Sequence, residues 1–172
     1  MTKKSKLVRA YPAMVGLVQG PTGDTATLHR TYLENGRKAV GIEPKKLLNT
    51  GINGAAIRLA EATEELAITE GIEKGLAVLL STGRPVWPAL SSSNVEKLVV
   101  PDCVKRLYIY GDNDSDAGYD GQASAYALAR RVTKEARRRK IDRTVVVHIP
   151  RKSGVDWDDI YLARSMKRKQ AA

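Results

Sequence analysis

Phenylalanine is missing from this chain altogether, and aromatic residues fill only 5% of its 172 positions. Any core must therefore be built from Leu, Val, Ile and Ala. The 42% hydrophobic content allows that for one domain, or one domain with a small extension. Cysteine is almost absent too: Cys103 stands alone, so no intrachain disulfide can form. With only His29 and His148 to help, a zinc ribbon or finger is excluded as well. No run approaches the roughly eighteen apolar residues of a membrane span. The basic start, MTKKSKLVRAYPAMVGLV, lacks the apolar centre and small-residue cleavage site of a signal peptide. The cytoplasm is the expected compartment, with no membrane partner.

What the chain has in excess is positive charge. Its 29 Lys and Arg outnumber 19 Asp and Glu, for a formal net charge of +10. Such a balance favours a polyanionic partner, nucleic acid before membrane.

Two styles of sequence meet near residue 62, which suggests a small β-rich subdomain over 1–62 and a larger domain over 63–172. Before the junction, short β-like runs alternate with turn signals. Met14–Gln19 is followed by Gly20-Pro21-Thr22-Gly23-Asp24, and Thr25–Leu33 by Glu34-Asn35-Gly36-Arg37. Thr25–Leu33 alternates as a half-buried strand does, and Asn35-Gly36 is a strong tight-turn signal. The stretch from Gly51 to Leu59 reads as a further loop and strand, so a small antiparallel unit is expected.

Beyond residue 64 the pattern becomes β-α-β-α-β-α-β. Strands are expected at Leu66–Thr69, Pro85–Leu90, Arg106–Tyr110 and Thr144–Ile149. Helices are expected at Ile72–Ser81, with Leu76, Leu79 and Leu80 on one face, at Gly121–Lys140 and at Asp156–Lys169. Ser93 or Asn94 would cap a short helix ending before Pro101. Such alternation predicts an α/β fold, a compact parallel sheet flanked by helices, whose site lies past the carboxyl ends of the strands.

Acidic residues stand at those places: Glu70 and Glu73 after the first strand, Asp112 and Asp114 after the third, Asp156 and Asp158 after the last. Two unit charges about 4 Å apart repel by roughly 4 kcal/mol at an effective dielectric near 20. Carboxylates converging at one sheet edge therefore need cations. Hard cations such as Mg²⁺ prefer carboxylate oxygens, and a metal pair can stabilise both attacking and leaving oxygens in phosphoryl transfer. Glu70 best combines a metal role with acid–base work.

Thr69-Glu70-Gly71-Ile72-Glu73, Tyr110-Gly111-Asp112-Asn113-Asp114 and Ala117-Gly118 together resemble the Toprim domain of bacterial-type primases, topoisomerases, small nucleases and recombination proteins. The resemblance spans roughly residues 64–162. It implies a Toprim-like fold in which Glu70, Asp112 and Asp114 are catalytic and hold metal, Mg²⁺ or Mn²⁺. Asp156 and Asp158 match the further acidic pair of the primase branch. One residue more than usual separates the Asp pair from Ala-Gly, so Asp116 competes with Asp114 as the inner ligand; the family pattern favours Asp112 and Asp114. His29–Leu33, Gly36–Ala39 and Gly54–Leu59 are similar to the segment before Toprim in phage- and plasmid-type primases. Trp87-Pro88-Ala89-Leu90-Ser91 matches their strand and turn.

The resemblance implies a DNA primase core that polymerises ribonucleoside triphosphates on single-stranded DNA, with a replicative helicase as a partner. A small metal-dependent Toprim nuclease, acting on DNA or structured RNA, is the rival enzyme, and a non-catalytic nucleic-acid-binding module the third reading. Arg30, Lys38, Arg58 and Lys74 are the candidates for holding template or triphosphate. Asp156, Asp158 and Asp159 also suit a helix N-terminus, as does Glu73. The basic residues from Arg130 to Lys140 wrap around their helix as a solvated end does. Arg164, Lys167, Arg168 and Lys169 offer salt-sensitive, non-specific attraction to nucleic acid.

Overall fold

The computed structural model describes residues 10–47 and 51–170, and the basic N-terminal stretch 1–9 lies outside them. An antiparallel sheet comes first. It contains β1 (Ala13–Gln19), β2 (Thr25–Glu34), β3 (Arg37–Lys38), β4 (Lys45–Leu47) and β5 (Ala56–Ile57). Its order is β3-β2-β1-β5, with β4 also on β2. Asn35 (φ 50°) and Gly36 (φ 73°) supply the two positive φ values a tight β2–β3 turn requires. The inward face of β2 is polar: Thr27, His29 and Thr31 are buried, opposite Val18, Gly16 and Met14 of β1.

The second sheet is fully parallel, in the order β7-β6-β8-β9. Its strands are β6 (Glu65–Thr69), β7 (Val86–Pro88), β8 (Arg106–Tyr110) and β9 (Thr144–His148). Helices α1 (Ile72–Thr82) and α4 (Trp157–Gln170) cover one face; α2 (Ser92–Lys97) and α3 (Asp120–Arg139) cover the other. The main core lies under α2 and α3, where Leu66, Ile68, Leu107 and Ile109 meet Val95, Leu98, Leu128 and Val132. Each such aliphatic side chain contributes about 1.5–3 kcal/mol on full burial, so this face carries the fold without phenylalanine.

Two local expectations are corrected. Leu76 and Leu80 of α1 are exposed (37% and 66%), and the helix instead buries Ile72, Gly75, Ala77 and Val78. A Cβ at Gly75 would lie 2.6 Å from Pro88 Cγ, so close approach to the sheet selects the small-residue face over the leucine face. The cap of α2 is Ser91, whose hydroxyl accepts from Asn94 N–H at 3.3 Å. Asn94 is buried, accepting from Gly54 N–H (2.8 Å) and donating to Ala55 O (2.8 Å) and Ala89 O (2.6 Å).

The two sheets are joined at the edge of β7. Leu59 N–H donates to Val86 O at 3.1 Å, which covers an otherwise open strand edge. Val18 and Ile57 pack on Ile72, with Leu90 beside them, so the antiparallel unit abuts the start of α1. Among the described residues no helix is long and apolar enough to cross a membrane.

Candidate active site

Register decides which acids meet. Thr69 of β6 pairs with Tyr110 of β8, so Glu70 and Gly111 leave the sheet side by side. Gly111 N–H still donates to His148 O at 3.0 Å, which carries Asp112 to the rim. Asp112 is 5% exposed, and its Oδ1 is enclosed without a hydrogen-bond partner. Burial raises the pKa of both Glu70 and Asp112. The charge of Asp112 raises Glu70 further; Asp156 and Asp114 add to the rise at Asp112, against Lys74.

Lys74, on the first turn of α1, supplies the opposing charge. Its ammonium pairs with Asp112 and lies 3.2 Å from Asp156 Oδ1. Burial works against the ammonium, but Asp112, Asp156 and Glu70 outweigh it and raise its pKa. Asp114 turns to α3, where its Oδ2 accepts from Gly121 N–H at 2.9 Å. Asp116 sits on the exposed loop and accepts from the Ser153 hydroxyl. Asp158 is half-buried; burial and then Asp156 and Asp159 raise its pKa, and its Oδ1 has no partner.

The loops carrying these acids are tied together. Asn113 donates to Pro150 O (2.7 Å), and its side-chain oxygen accepts from Gln122 (2.8 Å). Trp157 Nε1–H donates to Gly111 O at 3.0 Å, fixing the start of α4 beside β8. Leu90 (φ 75°) and Tyr119 (φ 67°) hold left-handed backbone on loops at this edge, a strain of about 1–3 kcal/mol each. Strained loops, enclosed carboxylates and a buried counter-ion come together at this rim, which makes it the candidate site.

A family model described as Toprim domain matches residues 65–167. The chain belongs to the Toprim family. A second model, a domain of unknown function, matches residues 1–59. No curated protein sequence matches the chain. Among solved structures, the chain is similar to the crystal structure of the Aquifex aeolicus primase, comprising its zinc-binding and RNA polymerase domains. The TM-score is 0.51 at 16% identity, over 91% of this chain and 38% of that one. The chain thus spans little more than a third of that primase chain, and the likeness is one of fold.

Toprim domains generally bind divalent metal, and the donor set here fits a hard cation. It is all carboxylate oxygen, with orphaned atoms on Asp112 and Asp158 and a lysine ammonium standing where positive charge is needed. Among the described residues, no three acidic, His or Cys side chains already form a cage. Glu70 and Asp112 adjoin each other, Asp156 joins through Lys74, and Asp114 is drawn to the helix.

The basic candidates are spread out. Lys38 pairs with Glu73 at 2.9 Å, and Lys45 lies 3.9 Å from the same carboxylate. Burial pushes the Glu73 pKa up, yet its own amide, Lys38 and Lys45 hold it below the usual range. Arg58 donates to Gly20 O at 2.8 Å and stacks 4.3 Å over Trp87. Arg30 lies 5.7 Å from the Tyr32 ring centre. Sequence reasoning missed Asn113, Gln122, Gly121 and Trp157, which position the acids. The only local signal was a glycine opening the Ala-rich helix and a tryptophan inside the last acidic pair.

Proposed function

We propose that this chain is the Toprim catalytic core of a phage- or plasmid-type DNA primase, with a β-rich unit over 1–62 and the catalytic domain over 63–172. The observation that carries this reading is the extent of the fold likeness. It runs over 91% of the chain, so it takes in the antiparallel unit as well as the Toprim domain.

Glu70, Asp112 and Asp114, assisted by Asp156 and Asp158, would hold Mg²⁺ or Mn²⁺, whose charge stabilises the oxygens of the reacting phosphate. A 3′-hydroxyl attacks the α-phosphorus of a ribonucleoside triphosphate; the new phosphodiester bond forms as the bond to pyrophosphate breaks. Glu70 is the proposed acceptor of the hydroxyl proton as well as a metal ligand. Lys74 balances the acids before phosphate arrives and then faces phosphate oxygens. Arg30, Lys38 and Arg58 are the proposed contacts for template or triphosphate, and a replicative helicase is the proposed partner.

Incubation with single-stranded DNA, labelled ribonucleotides and Mn²⁺ tests the reading. Short metal-dependent RNA products are expected. Cleavage without synthesis would sink the primase assignment in favour of a Toprim nuclease. Asp112→Asn is expected to fold normally and lose about 100-fold or more in turnover, since even outer partners of a metal cost 10–100-fold. Unchanged turnover removes the metal-site assignment.

A further inference from the structure

A groove between α1 and α4 opens on the sheet face carrying Tyr110 and His148, and none of the acidic-edge carboxylates lines it. It consists of two adjoining cavities of about 210 and 130 Å³ that share Ser81, Tyr161 and Arg164. Its outer wall is one stripe of α4: Trp157, Tyr161, Arg164, Ser165 and Arg168, at the three- and four-residue steps of a single helix face. A helix packed on a sheet normally buries that stripe, yet no residue of α4 is buried. The stripe is a wall with open space behind it.

The two ends of the groove differ in chemistry. At the Trp157 end the lining is aromatic. Tyr110 and His148 stack with centres 4.8 Å apart, and Trp157 meets Tyr110 edge-on at 5.0 Å. Burial, and then Arg84, lower the His148 pKa, so that ring adds no positive charge near neutral pH. Ser81 and Thr82 spend their hydroxyl protons on Ala77 O and Val78 O; Thr82 already accepts from Arg84 N–H at 3.3 Å, so the Ser81 oxygen is the one left to accept from a ligand. At the other end stand Arg164 and Arg168, both exposed, and neither is in an ion pair among the described residues. An apolar aromatic pocket leading to two exposed guanidiniums suits a planar ring joined to an anion. In the setting of a basic chain, that chemistry is a base joined to a phosphate.

We propose that the α1–α4 groove is a second binding site, for a nucleoside phosphate, with the base in the aromatic cavity and the phosphate on Arg164 and Arg168. The unit bound is either a free nucleotide or one residue of a single strand, and both present the same chemistry. The site uses none of the acidic-edge carboxylates and needs no divalent cation.

Calorimetric titration of the full chain in EDTA, with adenosine 5′-monophosphate, ribose 5-phosphate and a short oligothymidylate, tests this. AMP is expected to bind, with ribose 5-phosphate at least tenfold weaker because it lacks the base. Arg164→Glu with Arg168→Glu should weaken AMP at least tenfold, and these solvent-exposed positions can change charge without loss of the fold. Tyr161→Ala should weaken AMP while leaving ribose 5-phosphate unchanged. An oligonucleotide that displaces AMP and binds more tightly marks the site as a strand track; one that does not displace AMP marks it as a free-nucleotide site. No AMP binding at millimolar concentration, equal affinity for ribose 5-phosphate, or indifference to the double charge reversal overturns the proposal. Because no metal is present, those failures leave the acidic-edge reading untouched.

Discussion

Lys74, one turn into α1, forms an ion pair with Asp112, 38 residues later at the end of β8. The pair is largely buried, with side chains 16% and 7% exposed, and Lys74 also reaches Asp156 at 3.2 Å. The lysine thus acts as a built-in counter-ion for acids that would otherwise repel.

Removing that counter-ion should therefore be costly without metal. Lys74→Met is expected to destabilise the protein by about 2–4 kcal/mol in EDTA, because it leaves buried carboxylates unpaired. Added Mg²⁺ should restore much of the loss. Urea denaturation with and without metal checks this, and equal stability of variant and parent in EDTA would contradict it.

Gly121 sets a contest between two known effects. Alanine is the better helix former by about 1 kcal/mol. A Cβ at Gly121, however, would sit 2.7 Å from Asp112 Cβ, 2.8 Å from Asp114 Oδ2 and 2.9 Å from Asp112 O. Such overpacking costs about 1–3 kcal/mol, so Gly121→Ala should be net destabilising and should displace both aspartates. A fall in melting temperature together with weaker metal binding is the expected pair of results.

Asn94 satisfies three backbone groups at the joint between the two sheets. Asn94→Ala leaves the Gly54 amide and two carbonyls without that partner, at about 1–3 kcal/mol per buried group left unmet. Relaxation and water recover part of this, so a net loss of about 2–4 kcal/mol is expected on thermal unfolding. Hydrogen exchange should quicken first around Gly54 and Ala55.

His29 makes stability depend on pH. Burial lowers its pKa from the ordinary 6.5, Lys45 lowers it further, and Glu73 partly opposes them. The unfolded chain then binds a proton at higher pH than the folded one does. Stability from this group is complete above 6.5 and is lost as pH falls below it toward the depressed folded value. His29→Gln should flatten that slope in denaturation curves measured between pH 7 and 5; an unchanged slope assigns it to other groups.

Much of this could be read from residue order. Strands β6, β8 and β9 and helix α3 lie within a residue or so of their expected bounds, because apolar runs between turn residues and a long Ala-rich stretch are local signals. The positions of Glu70 and Asp112 just past strands, and of Asp156 at the start of the last helix, were equally legible. Less so was the face of α1: three leucines outvote one glycine in any apolar count, yet Gly75 is where the backbone approaches Pro88. Asn94 likewise looked like a cap when its partners lay about 40 residues away.

Residue order alone establishes a basic α/β chain that can form no intrachain disulfide, with acids following its apolar runs and a β-rich unit ahead of them. It took the folded chain to show that Lys74 stands between Asp112 and Asp156, that Asp114 is drawn to α3 and that α4 leaves a groove beside α1. The reason is physical. Periodicity reports which way a side chain faces within its own element, whereas strand register and helix packing decide which distant side chain it meets.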